Sequence, residues 1–146
     1  MTELVLDCSV TMGWCFDDEA DALSERVLEL LRDGTAHVPR IWFLEITNVL
    51  LTAERRRRIK KSDSVRFFEL LRSLPILEES GPVEWEAAER VLNVGRQYGL
   101  SAYDATYIDL AMRMGLPLAT RDQHLQAACS AAEVALVGAA ITEGPA

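Results

Sequence analysis

Leu100–Leu125, LSAYDATYIDLAMRMGLPLATRDQHL, reads as a helix, a stop, a strand and the opening of another helix. Ser101 or Ala102 opens the first helix, which runs to Met114, and Gly115 ends it by supplying the left-handed residue that helix stops favour. Leu116–Thr120, LPLAT, is a strand despite Pro117, which assigns that proline to a sheet edge or to the first strand position. Asp122–Ser130 is helical again.

The alternation continues toward both ends. Leu4–Asp7, LVLD, is a short buried strand that ends on a carboxylate, and Ser9–Phe16 is a short helix. Asp17–Asp33 reads as one helix, with the acids of DDEA in the first turn, where the helix dipole favours them, and Gly34 as its stop. Ala36–Val38 is a second strand before Pro39. Ile41–Arg58 is a mostly apolar helix ending in arginines, and Ser62 caps another helix that reaches Leu74. Pro75–Glu78 is a strand, Val83–Tyr98 an amphipathic helix stopped by Gly99, and Val134–Val137 a last strand. Strands alternating with helices give the α/β class, with helices covering a mostly parallel central sheet.

A chain of 146 residues is the size of one domain, here residues 1–138, followed by a loose tail, AAITEGPA, at 139–146. With 49% hydrophobic and 26% charged residues it has the composition of a globular protein. No apolar run is long enough to span a membrane, and MTELVLD carries acids where a leader would carry bases, so no membrane association and a cytoplasmic location are expected. Cys8, Cys15 and Cys129 form no C-x-x-C pair, which argues against a disulfide framework or structural zinc. The net charge of −8 disfavours a nucleic-acid partner on average, but residues 55–61, RRRRIKK, hold six of the fifteen basic residues and no acid. That run has three readings: it tracks RNA phosphates, meets an acidic partner, or is simply solvated.

Four acids stand apart from this background. Asp7 closes the first strand, and Asp122 follows LPLAT by one residue beyond Thr120 and Arg121, so both fall at strand carboxyl ends, where α/β sheets place their functional crevice. Asp122 also suits a helix N-cap. Glu45 interrupts an apolar helix and forms a polar seam with Asn48 and Thr52, read either as an internal site or as a solvated stripe. Thr106, Asp109 and Arg113 mark the wet face of their helix, which turns Asp104 toward the core side with Ile108 and Ala111, although a first-turn acid is also ordinary there. The four have no lysine nearby in sequence to neutralise them. Gathered together they would repel unless a cation joined them, and oxygen-only donors select Mg2+ or Mn2+ over zinc or copper.

The segments VLDCSV, PRIWFLEITNVL, LSAYDATYIDLA and LATRDQHL resemble, in order and spacing from Leu4 to Leu125, the four acidic motifs of PIN-domain ribonucleases, especially VapC-type toxins of toxin-antitoxin pairs. The resemblance implies a three-layer α/β/α sandwich and RNA phosphodiester cleavage by a metal-activated water. It makes Asp7, Glu45 and Asp104 the central metal-binding and catalytic acids, Asp122 the fourth, and Thr120 the accompanying hydroxyl; Asn48, from the seam beside Glu45, is read as a further supporting residue. The resemblance also implies a VapB-like antitoxin and a homodimer, beside the Mg2+ or Mn2+ cofactor that the donor set selects and the RNA or partner contacts that the charge run offers through Arg55, Arg56, Arg57 and Arg58. Cys8 takes a place often held by Ala or Ser. Two other classes compete: a PIN-like binding or regulatory module without catalysis, and an aspartyl-phosphate phosphotransfer domain using Asp7. The latter lacks a second nearby Asp or a suitably placed lysine. Trp14, Trp42, Trp85, Phe67 and Phe68 are expected in the core or at an interface.

Overall fold

The computed structural model describes residues 2–81 and 84–138, so the expected 139–146 tail and the Val83 start of one helix lie outside the described residues. Its strands are β1 (Glu3–Leu6), β2 (Thr35–Val38), β3 (Ile76–Glu78) and β4 (Leu118–Ala119). They form one parallel sheet in the order β3-β2-β1-β4. Seven α-helices accompany them: α1 (Cys8–Cys15), α2 (Ala22–Leu30), α3 (Ile41–Arg55), α4 (Lys61–Ser73), α5 (Trp85–Tyr98), α6 (Ala102–Met114) and α7 (Gln123–Ala131). Leu4, Val5 and Leu6 are each wholly buried. Successive strand residues point to opposite faces, so burial of all three means that helices cover the sheet on both sides.

Local chemistry moves several boundaries from where periodicity put them. Asp17–Asp33 is not one helix: Asp17–Glu19 is a 3₁₀ turn, and Asp21, in extended conformation, caps α2 by accepting from Ser24 N at 2.8 Å. The helix from Ile41 stops at Arg55 because Arg57 takes a left-handed φ of 57°. α4 is opened by Lys60, not Ser62, since Asp63 Oδ2 accepts from Lys60 N at 2.8 Å and closes the first turn. Pro117 sits just before β4, an edge strand, and its carbonyl accepts from Val5 N, a role that needs no N–H of its own. The expected last strand shrinks to one parallel bridge, Leu118 to Leu136.

The supposed wet face of α6 is also corrected. Asp109 is buried, held by Arg113 at 2.9 Å and Arg90 at 3.4 Å, and Arg113 reaches Glu79 at 3.0 Å. Helical phase distinguishes polar from apolar faces, but not a solvated pair from one that pins α5 and the end of β3 to α6. Trp42 and Phe67 join the core as expected, whereas Trp85 is 87% exposed and Phe68 is exposed. Phe43, Leu44 and Leu51 leave an apolar strip of α3 uncovered.

Candidate acidic site at the carboxyl ends of β1 and β4

β1 and β4 pair with Leu6 opposite Ala119, so the residues that follow, Asp7 and Thr120, leave the sheet side by side. Thr120 Oγ1 donates to Asp7 Oδ2 at 2.7 Å, and Ser9 Oγ, from the first turn of α1, donates to the same oxygen at 2.6 Å. The next two residues support those hydroxyls from behind: Arg121 N donates to Ser9 Oγ at 2.9 Å and Asp122 N to Thr120 Oγ1 at 3.1 Å. Asp122 is the N-cap of α7, its Oδ1 accepting from His124 N and Leu125 N. Its Oδ2 has no hydrogen-bond partner among the described residues.

The other two acids arrive on helices. Asp104 stands in the first turn of α6, where Ser101 Oγ caps its backbone N–H at 3.2 Å. Glu45, one turn into α3, accepts a hydrogen bond from the hydroxyl of Tyr107, itself wholly buried on α6. The structure thus joins α3 and α6 beside the sheet, and the four carboxylates share one electrostatic field. Burial raises the Asp7 carboxyl above its ordinary value; the Ser9 and Thr120 bonds oppose the rise, and the charges of Asp104 and Asp122 add to it. Burial also raises Glu45, opposed by the Tyr107 bond and reinforced by Asp7 and Asp104. Asp104 is raised by burial and then by Asp122. Acids that raise one another in this way favour either protons or a cation.

A family profile described as PIN domain matches residues 4–130. The chain belongs to the PIN domain family. Solved structures agree on the fold. Across 87% of this chain and 84% of the other, PAE2754 from Pyrobaculum aerophilum is similar at TM-score 0.66 and 22% identity. VapBC2 from Rickettsia felis, bound to a DNA fragment from its promoter, is similar at TM-score 0.66 and 13% identity, covering 93% and 98%. FitAcB from Neisseria gonorrhoeae is similar at TM-score 0.62 and 19% identity, covering 93% and 97%. Comparison with curated proteins gave no significant match.

The donor chemistry of this PIN domain fits a hard divalent ion. Asp7 Oδ1 and Asp122 Oδ2 accept no hydrogen bonds among the described residues, so oxygens remain free for ligation. No three Asp, Glu, His or Cys side chains among the described residues are gathered into a ready cage. A small ion that keeps several waters and takes one or two carboxylates suits such an open set better than one that needs an all-protein shell.

Sequence reasoning missed Ser9 and Tyr107. Ser9 follows Asp7 by two residues across a strand-to-helix turn, and Tyr107 lies one helical turn after Asp104; both spacings were signals available in the sequence. His124, two residues after Asp122, is exposed and also bears on the site. His124 Nε2 lies 3.0 Å from Gly99 O, and its charge pulls Asp104 downward against the neighbouring acids. Asn48 is exposed and makes no side-chain hydrogen bond among the described residues. Of the arginine run, Arg55, Arg56 and Arg57 are exposed, while Arg58 binds Asp18 at 2.6 Å and Glu19 at 3.0 Å over the Phe16 ring. Arg121 binds Asp21 at 2.9 Å and the Ser9 carbonyl at 3.2 Å, tying the β4–α7 loop to α1 and α2. Burial pushes the Cys8 thiol up beside the acids, which removes it as a nucleophile.

Proposed function

We propose that this PIN domain is a divalent-metal-dependent endoribonuclease and the toxin of a VapBC-type pair. The observation that carries the reading is the shared field of Asp7, Glu45, Asp104 and Asp122 beside the ends of β1 and β4. When bound, Mg2+ or Mn2+ supplies Lewis acidity toward the phosphate and a more acidic water. Asp7 and Asp104 are assigned to hold it, with Asp122 assisting through its free oxygen. Glu45 is the residue best suited to take a proton, because burial and its acidic neighbours raise its proton affinity while Tyr107 fixes one of its oxygens. Incubation of the purified chain with total RNA and Mg2+ is expected to give discrete cleavage ends that EDTA abolishes. Intact RNA with both Mg2+ and Mn2+ would refute the activity.

RNA needs a basic surface on this acidic chain, and Arg55, Arg56 and Arg57 supply one, whereas Arg58 is already neutralised. Changing those three to Gln is expected to reduce the slope of log affinity against log salt by about 2, at roughly 0.7 per single-strand phosphate contact. An unchanged slope would remove the run from the RNA surface. The antitoxin assignment draws on the VapBC2 structure and on a structure described as a toxin-antitoxin complex from Klebsiella pneumoniae, similar at TM-score 0.57 and 18% identity over 82% and 86% of the chains. The uncovered strip of Phe43, Leu44 and Leu51 supports a homodimer. No described helix is long and apolar enough to cross a membrane, and the cytoplasm is the proposed location.

A further inference from the structure

We propose that Ser9, acting with Thr120, is a positioning residue that limits Asp7 to ligation through one oxygen, and that this limit makes the site prefer Mg2+ to Ca2+. The proposal rests on the metal-dependent reading of the acidic site and concerns which ion the chain's own residues admit.

A carboxylate oxygen has two in-plane lone pairs. Both lone pairs of Asp7 Oδ2 are engaged, by Ser9 Oγ at 2.6 Å and Thr120 Oγ1 at 2.7 Å. Each hydroxyl has a single proton, and its lone-pair side is already occupied by a backbone N–H: Arg121 N on Ser9 and Asp122 N on Thr120. The two hydroxyls lie 3.5 Å from each other, so the charged carboxylate is the nearer acceptor for both protons. Neither can turn away without leaving a donor of the β4–α7 loop unpaired, and that loop is fastened further by Arg121 on Asp21 and on the Ser9 carbonyl. Asp7 Oδ2 is therefore committed, and Oδ1, which accepts nothing among the described residues, is the oxygen left for an ion.

One-oxygen ligation discriminates between hard cations. Mg2+ takes six ligands at short distance and retains water, so a single carboxylate oxygen serves it well. Ca2+ takes six to eight oxygens at longer distance and gains from bidentate carboxylates. Freeing Asp7 Oδ2 should help Ca2+ more than Mg2+.

The test is calorimetric titration of the metal-stripped full chain with Mg2+ and, separately, Ca2+, with circular dichroism to verify folding. Ser9→Ala is expected to lower the ratio of the Ca2+ to the Mg2+ dissociation constant by about tenfold, the lower end of what removing a ligand's hydrogen-bond partner does to metal affinity. Ser9→Thr, which keeps a hydroxyl, is expected to preserve the wild-type ratio. Thr120→Val should act in the same direction as Ser9→Ala and carries the test if Ser9→Ala does not fold. Equal weakening of both ions, with the ratio unchanged in Ser9→Ala and Thr120→Val, would overturn the selectivity role while leaving the metal site standing. A wild-type chain that binds neither ion would overturn the metal-dependent reading and this proposal with it.

Discussion

Asp7→Asn is expected to lower RNA cleavage at least about 100-fold while leaving the fold intact, since changes one step removed from a metal ligand already cost 10- to 100-fold. The geometry explains why the loss should be clean. Asn retains one side-chain oxygen that can accept the Ser9 and Thr120 hydroxyls, so the join between β1, α1 and β4 survives. What faces the remaining acids is then an amide NH2, which cannot ligate a cation and carries no charge. The Asp7 carboxylate is buried among like charges, so its neutralisation costs the metal-free fold little. Far-ultraviolet circular dichroism and gel-based RNA cleavage measure the two halves of the expectation. Undiminished cleavage by Asp7→Asn would end the assignment of Asp7 to the reacting centre.

The contrast between what the sequence disclosed and what it concealed follows from how far each signal reaches. Wholly apolar LVL before Asp7 needed no tertiary knowledge, because a short strand buried on both faces has no polar position to spare. Asp7 and Asp122 could be placed at one end of the sheet for the same local reason. Glu45 and Asp104 were visible only as anomalies in helical phase, and the partner that explains Glu45, the Tyr107 hydroxyl, comes from 62 residues away. Asp109 shows the limit most plainly. Its spacing to Arg113 suits an i,i+4 ion pair, but Arg90, which arrives from α5, is what makes that pair a buried joint. The break at Asp21 was hidden for the opposite reason: an acid near a helix start suits a first turn and an N-cap equally, and only backbone dihedrals distinguish them. Asp122 met its N-cap reading, capping α7 with one oxygen and leaving the other free.

Asp104→Asn is expected to make the metal-free chain more stable at neutral pH and to remove most of its stabilisation by Mg2+. The sign follows from proton binding. In the folded chain Asp7, Glu45 and Asp104 all hold protons more tightly than the ordinary 3.8 of Asp or 4.5 of Glu. The folded state therefore binds more protons than the unfolded state above that range, and stability falls as pH rises through the interval between the ordinary and the raised values. The Asp21 carboxyl, which is lowered, works the other way and at lower pH. Comparing the variant with wild type isolates the Asp104 share, whose main cause is burial, with Asp122 next and His124 in opposition. Its melting temperature should exceed wild type near pH 7.5, and the excess should shrink as pH falls toward the ordinary carboxyl range, where the folded chain takes up the Asp104 proton. Mg2+ at about 100 times its dissociation constant adds about 2.7 kcal/mol to the wild type, or roughly 8 °C at about 3 °C per kcal/mol for this chain length. The variant, lacking one of the two carboxylates assigned to hold the ion, should gain only a small part of that. If Asp104→Asn melts below wild type at every pH and still gains the full shift from Mg2+, Asp104 is a structural acid of α6, and the cation belongs elsewhere.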